Sequence, residues 1–222
     1  MRTRIKMCGL TRPADVDTAV EAGADAIGLV MYPPSPRYVS VDQAATLAAR
    51  LPPFVTPVAL FVNATAALIA AAVEAMPALV LQFHGDEFPA DCRHRGRPYI
   101  RAARLAPGFD LLAFAAGFAE AQAFLLDAHV EGYGGGGKVF DWSLIPAGLA
   151  RPTILSGGLH PGNVGEAIRR VRPWAVDVSS GVESARGVKD AHAMRRFCAA
   201  VREADAAEHA AVDCGQKSEE RL

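Results

Sequence analysis

Near its start the chain reads Arg4-Ile5-Lys6-Met7-Cys8-Gly9-Leu10-Thr11. A short apolar run ends at Cys8, and Thr11 and Pro13 supply the cap and the early proline of a helix start. The segment is therefore predicted to be a β-strand that leads directly into a helix, the repeating unit of a parallel α/β protein. Cys8 and Gly9 stand at the carboxyl end of this strand, where such folds place their chemistry.

The same unit repeats along the chain, because short apolar runs alternate with Ala-rich amphipathic stretches. We predict strands at Arg4–Cys8, Ala26–Val30, Val58–Val62, Leu79–Phe83, Ile100–Arg104, Ala123–Asp127, Thr153–Ser156 and Ala175–Ser179. The predicted helices are Pro13–Ala22, Val41–Arg50, Thr65–Ala75, Asp86–Arg95, Asp110–Ala119, Ser143–Ala147, Pro161–Val171 and Lys189–Ala204. Eight units without a break in composition predict a single α/β domain, a closed (β/α)8 TIM barrel.

The composition indicates one domain that binds a small molecule. Hydrophobic residues make up 51% of the 222 residues, which is enough to bury a large core. The 23 basic and 24 acidic residues are spread along the chain, so no basic stripe indicates nucleic acid. Polar residues interrupt the apolar stretch 57–83, and no apolar leader follows the first basic residues. We expect a cytoplasmic monomer or homodimer with no nucleic-acid or membrane partner.

The four cysteines are far apart and follow no metal-ligand spacing. We therefore expect reduced thiols, no metal site and no cofactor, with structural roles for Cys92, Cys198 and Cys214. From about Ala206 the chain is mostly polar and has no apolar period. We predict a catalytic barrel over residues 1–205 and a disordered or frayed tail over residues 206–222.

The carboxyl ends of the strands converge on one rim of a barrel, so distant residues meet there. Backbone N–H groups of four residues after strands seven and eight suit a phosphate, namely Gly157, Gly158, Ser180 and Gly181. The alternative is that these residues form only tight turns. The run Gly134–Gly137 has no Walker-type spacing and is predicted to be a loop.

Four further side chains are expected at this rim. Arg37 lies in a loop stiffened by prolines, and its planar fork of donors suits a substrate carboxylate; the alternative is a solvated surface arginine. Asp127 ends an apolar strand, where a carboxyl group either serves as a general acid or caps a loop. His84 either contacts substrate or is structural, and Asp177 either binds a sugar hydroxyl or ties strand eight to its neighbours. A thiol and a carboxyl flanking a sugar phosphate suit proton transfer beside a carbonyl or imine.

Seven motifs lie in order over roughly residues 4–204: Lys6–Thr11, Ser35–Val39, Gln82–Gly85, Leu125–Asp127, Phe140–Trp142, Gly157–Leu159 with Pro161 and Asn163-Val164, and Val176–Glu183 with Lys189-Asp190. Together they resemble the phosphoribosylanthranilate isomerase family of tryptophan biosynthesis. The resemblance implies an Amadori rearrangement of N-(5-phospho-β-D-ribosyl)anthranilate to 1-(2-carboxyphenylamino)-1-deoxy-D-ribulose 5-phosphate. This is an aldose–ketose isomerisation that needs no cofactor.

The resemblance also implies residue roles. Asp127 aligns with the general acid, which would protonate the ribose ring oxygen, and Cys8 with the general base, which would remove the proton from C2. Arg37 would hold the anthranilate carboxylate, while His84 and Asp177 would contact the substrate. The phosphate would be bound by Gly157, Gly158, Ser180 and Gly181. For this role the site should favour the Cys8 thiolate.

Two alternatives come from the residues themselves. The first alternative is a different barrel enzyme that acts on sugar phosphates. Such an enzyme would be expected to show metal-ligand histidines at strand ends, or a catalytic lysine with a longer N-terminal extension. A non-catalytic sensor of a phosphate ligand is also compatible with the barrel, because fold does not dictate function. A sensor needs neither Cys8 nor Asp127, so their joint presence favours the enzyme.

Overall fold

Eight parallel strands close into a barrel in sequence order in a computed structural model, which describes residues 2–93, 96–128, 141–146 and 148–219. The strands are β1 (Arg4–Cys8), β2 (Ala26–Val30), β3 (Thr56–Phe61), β4 (Val80–Phe83), β5 (Tyr99–Leu105), β6 (Ala123–Ala128), β7 (Thr153–Leu155) and β8 (Ala175–Val178). The barrel is closed because β1 pairs with both β2 and β8. The predicted TIM barrel is confirmed.

The described helices lie around the barrel: α1 (Pro13–Ala22), α2 (Val41–Ala48), α3 (Ala66–Ala75), α4 (Leu111–Gly117), α5 (Val164–Val171) and α6 (Ala191–Glu219). Short 3-10 helices span Trp142–Leu144 and Ser180–Val182, and a small antiparallel hairpin joins β9 (Glu183–Ala185) to β10 (Val188–Lys189). Ser40 begins α2 with a reciprocal capping box to Gln43. None of the described helices is long and apolar enough to cross a membrane.

The helix predicted at Asp86–Arg95 is wrong over its described residues 86–93, which form turns. Glu87 is buried here and lies 3.2 Å from the guanidinium of Arg101. Its carboxylate also accepts hydrogen bonds from the backbone N–H groups of Asn63 and Gly85. These bonds hold the segment against the strand ends, and a helical turn would break them.

Other predicted helix ends shift by three residues or fewer, and two helices need a further correction. In place of the predicted helix Ser143–Ala147, the described residues form the 3-10 helix Trp142–Leu144, because Pro146 disfavours helical geometry at the residue before it. Helix α6 continues to Glu219 rather than ending at Ala204, since the alanines of segment 206–211 favour a helix. The division between a barrel of residues 1–205 and a tail of 206–222 stays a prediction.

Side chains alternate between the inside and the outside of the barrel, and this period positions the site. Apolar residues of β6, β7 and β8 fill the interior together, namely Leu125, Ile154 and Ala175. Two residues further along, the inward positions become polar at Asp127, Ser156 and Asp177, all of them buried. The apolar interior therefore ends just below the carboxyl ends of the strands, and a ring of polar side chains lies above it.

Candidate active site

Cys8 ends β1 as a residue that is 5% exposed, and its side chain lies in space left by a glycine on the next strand. Cys8 pairs in register with Gly28, and a Cβ atom built on Gly28 would lie 2.6 Å from the Cys8 sulfur. The carbonyl of Gly28 accepts the N–H groups of Gly9 and Leu10, which holds the end of β1 in place. The thiol is thus fixed at the rim by the backbone of two strands.

Charges of both signs surround the Cys8 thiol. Burial raises its pKa above the ordinary cysteine value, and the positive charges of Lys6 and Lys189 act against this rise. The carboxylate of Asp177 adds to the rise. The expectation that the site favours the thiolate is therefore wrong: Lys6 and Lys189 limit the cost of ionising a buried thiol without reversing it.

We expect kcat/KM to rise with pH along a limb whose midpoint lies above about 8.5, the ordinary cysteine pKa. A general base must be deprotonated, so a raised pKa moves the active form to higher pH. Thiolate absorbance measured as wild type minus Cys8→Ser gives the same pKa, because the other three cysteines are present in both proteins and cancel in the difference. A midpoint below the ordinary value would contradict the raised pKa.

Lys6 and Asp177 form a buried ion pair beside the thiol. The Lys6 ammonium donates to Asp177 Oδ1 at 2.7 Å, and the hydroxyl of Ser156 donates to Oδ2 at 3.1 Å. Both carboxylate oxygens of Asp177 are thus bonded within the protein, which supports the tie between strands, and its substrate contact stays a prediction. Lys6 had no predicted role, although its place two residues before Cys8 puts it on the same face of β1.

Asp127 is buried at the rim and belongs to a hydrogen-bonded row. His84 Nε2 lies 3.2 Å from Asp127 Oδ2, and His84 Nδ1 lies 3.2 Å from Gln82 Nε2. An ionised Asp127 can only accept, so the His84 tautomer that bonds to it carries its proton on Nε2, and Nδ1 then accepts from the Gln82 amide. Gln82 had no predicted role, and its place in the row fixes which nitrogen of His84 faces the carboxyl group.

The loops after β7 and β8 meet at the predicted phosphate site. Gly157 and Gly158 have φ angles of 79° and 63°, and within the described residues their N–H groups donate to no protein acceptor. A Cβ atom on Gly181 would lie 1.9 Å from the carbonyl oxygen of Leu159, so only glycine allows this approach. Ser180 begins the adjacent 3-10 helix. The arrangement suits an anion, and phosphate binding at these residues stays a prediction.

Arg37 crosses the end of β1 and is held by an acidic residue that the sequence analysis left without a role. Its side chain packs on Gly9, where a Cβ atom would lie 2.4 Å from Arg37 Cδ. Its guanidinium pairs bidentately with Glu183, at 2.7 Å from Nε to Oε1 and 2.8 Å from Nη2 to Oε2. A buried arginine needs a counter-charge, and this requirement together with the place of Glu183 at the end of the motif Val176–Glu183 was the available signal.

Two further predictions concern the glycine-rich loop after β6 and the absence of a metal site. The loop Gly134–Gly137 lies outside the described residues. In the described ranges, no group of three or more His, Cys, Asp or Glu side chains could hold a metal ion. The expected absence of a metal and of a cofactor stays a prediction.

Comparison with known proteins identifies the family. Residues 5–200 match the family described as PRAI, N-(5'phosphoribosyl)anthranilate (PRA) isomerase. The N-(5'-phosphoribosyl)anthranilate isomerase of Leptothrix cholodnii is 70% identical over 205 residues, covering 92% of this chain and 93% of that protein. This agreement extends over the strand ends that carry the candidate site.

Solved structures have the same fold and family. The phosphoribosyl anthranilate isomerase of Thermotoga maritima has a TM-score of 0.80 and 39% identity, covering 90% of this chain and 99% of that one; the protein from that organism is also described as dimeric. Another isomerase, solved with reduced 1-(o-carboxyphenylamino)-1-deoxyribulose 5-phosphate, has a TM-score of 0.76 and 35% identity, covering 90% and 99%. The chain belongs to the N-(5'-phosphoribosyl)anthranilate isomerase family of enzymes.

Proposed function

We propose that this enzyme converts N-(5-phospho-β-D-ribosyl)anthranilate to 1-(2-carboxyphenylamino)-1-deoxy-D-ribulose 5-phosphate by general acid and base catalysis. The observation that carries the proposal is the pair of buried groups at one rim, the thiol of Cys8 and the carboxyl of Asp127. A guanidinium and two glycine-containing loops lie at the same rim, and they suit the carboxylate and the phosphate of this substrate.

The reaction begins at Asp127, which in its protonated form delivers a proton to the ribose ring oxygen. The ring opens to a protonated imine, and Asp127 becomes a carboxylate. The N–H group at His84 Nε2 lies 3.2 Å from this carboxylate and stabilises its charge. His84 therefore supports the acid at the moment when the acid becomes charged.

The second step takes place at Cys8. The thiolate removes the proton from ribose C2, and the electrons of the C–H bond move toward the imine to give an enolamine, which tautomerises to the ketone. The ammonium of Lys6 lies on the same face of β1 and favours the charged form of the thiol. Lys6 therefore makes the buried thiol a usable base, while Asp177 holds Lys6 in place.

The wider assignments are proposals of the same kind. We propose that Arg37 binds the anthranilate carboxylate and that Gly157, Gly158, Ser180 and Gly181 bind the phosphate. We also propose a cytoplasmic enzyme of tryptophan biosynthesis, either a monomer or a homodimer; the dimeric Thermotoga maritima protein supports the homodimer. Light scattering on the purified chain distinguishes the two states.

The decisive experiment follows the fluorescence of phosphoribosylanthranilate made in situ. We expect the fluorescence to fall when the purified chain is added and to persist with Cys8→Ser. Binding of inorganic phosphate, measured by calorimetry, shows whether the anion site is intact in each sample. A chain that binds phosphate and leaves the fluorescence unchanged would favour the sensor over the enzyme.

A further inference from the structure

Glu183 has every hydrogen-bonding position of its carboxylate occupied. Oε1 accepts from Arg37 Nε at 2.7 Å and from the Lys189 ammonium at 2.8 Å. Oε2 accepts from Arg37 Nη2 at 2.8 Å and from the backbone N–H of Gly187 at 3.2 Å. A carboxylate has about four such positions, so this one is saturated and fixed in orientation.

The bidentate pair also fixes the plane of the Arg37 guanidinium. A guanidinium has five N–H donors, of which Glu183 takes one on Nε and one on Nη2. The opposite edge, formed by Nη1 and the second hydrogen of Nη2, is a second fork of the shape that matches a carboxylate. Arg37 is thus bonded on one edge by the protein, and its other edge keeps the geometry of a carboxylate receptor.

The charges around Arg37 also favour a carboxylate ligand. Arg37, Glu183 and Lys189 are buried side chains, with exposed fractions of 9%, 5% and 0%. Although burial acts in the other direction, hydrogen bonds from Arg37 and Lys189 lower the pKa of Glu183 to about 2. The cluster therefore holds two positive charges and one negative charge. An excess buried cation is costly unless a further anion joins it.

We propose that Glu183 is the positioning residue that presents the free edge of Arg37 to the carboxylate of the substrate. The inference rests on the proposed function of Arg37 and adds to it the reason why the guanidinium is correctly placed before substrate arrives. An arginine side chain loses rotamer freedom when it binds a ligand, and a fixed partner has already removed that freedom.

A purely structural role is the competing explanation. Glu183 lies on the β9–β10 hairpin, and Arg37 lies on the loop between β2 and α2, so their pair also ties these segments together. The two segments touch elsewhere, since a Cβ atom on Gly187 would lie 2.7 Å from the carbonyl oxygen of Pro36. If the pair only ties the two segments together, breaking it would lower the stability and the affinity for every ligand. If Glu183 positions Arg37, breaking the pair would weaken only the contact with the substrate carboxylate.

The test measures kcat and KM for Glu183→Gln, Arg37→Ala and the double variant. Glu183→Gln retains the shape of the side chain and removes its charge, and we expect KM to rise roughly 10- to 100-fold, with kcat changing far less. The double variant should be no worse than Arg37→Ala, because without Arg37 there is nothing for Glu183 to position. The matched control is Glu166→Gln, an exposed glutamate paired with Arg170 on α5, which should leave KM unchanged.

Binding measurements separate positioning from a structural tie. By calorimetry, Glu183→Gln should weaken the reduced 1-(o-carboxyphenylamino)-1-deoxyribulose 5-phosphate complex and leave the affinity for inorganic phosphate unchanged. Unchanged KM in Glu183→Gln, additive effects in the double variant, or an equal loss of phosphate affinity would each overturn the inference. Unchanged KM in Arg37→Ala would instead overturn the carboxylate contact, and the inference with it.

Glu183→Asp keeps the test decisive if Glu183→Gln does not fold, which thermal unfolding reveals. Aspartate retains the charge beside Lys189, but it is one methylene too short to reach both guanidinium donors. We therefore expect a folded protein with KM still raised several-fold, between the wild type and Arg37→Ala. A KM equal to that of the wild type in Glu183→Asp would show that the bidentate geometry does not position Arg37.

Discussion

Replacing Cys8 by serine is expected to lower kcat by about 10²- to 10⁴-fold, the contribution typical of a positioned general base. KM should change little. A hydroxyl group is a far weaker acid than a thiol, so its ionised form is almost absent at neutral pH. Serine also fits the site, because its oxygen is smaller than the sulfur and Gly28 leaves the space beside it. The loss therefore reports on the base rather than on packing, and steady-state kinetics at saturating substrate measures it.

Cys198→Ser is the matched control for this substitution. Cys198 is a fully buried thiol on α6, away from the strand ends. The control should lose some stability in thermal unfolding and retain its turnover, since only packing has changed. Turnover close to that of the wild type in Cys8→Ser would exclude the thiol as the proton acceptor, and an equal loss in Cys198→Ser would assign the defect to the core.

Asp127→Asn is expected to lower kcat by a similar factor, again about 10²- to 10⁴-fold. Asparagine has nearly the same shape and can accept the hydrogen bond from His84 Nε2, but it has no carboxyl proton to give to the ring oxygen. Ring opening should fail while the ligand still binds. Calorimetry with the reduced product analogue checks this point, because its affinity should remain within a few-fold of the wild type.

Asp110→Asn is the matched control for the second substitution. Asp110 caps α4 by accepting the N–H group of Ala113, and asparagine is an equally good cap at this position. Turnover and stability should both be unchanged in this control. An Asp127→Asn variant that keeps more than a tenth of the wild-type turnover would remove Asp127 as the acid and leave its bond to His84 as a structural one.

The places where prediction and structure disagree have a common cause. Seven helices were predicted close to where the structure has helical residues, because their periodicity and caps are local signals. The exception is Asp86–Arg95, whose described residues 86–93 form turns held by Glu87 and Arg101. The pattern of segment 86–95 indicated an exposed amphipathic helix, and nothing within that segment indicated that Glu87 would be buried against another strand.

The pKa of Cys8 is a second property that the local sequence could not predict. A stabilised thiolate was expected because the role implied for Cys8 requires one, and Lys6 had no predicted part in it. Desolvation and the charge of Asp177 together outweigh the effect of the two lysines. The sign of a pKa shift depends on burial and on charges from other strands, and neither can be obtained from one strand alone.

The sequence by itself determined the barrel, the strand ends and the identities of the groups at the rim, because apolar runs and alternation are properties of each strand taken separately. Only the tertiary structure decided which of those groups become partners. Lys6 meets Asp177 across 171 residues, and Arg37 meets Glu183 across 146. These pairs exist because β8 closes the barrel onto β1, which brings the two ends of the chain together and buries their charges at one rim.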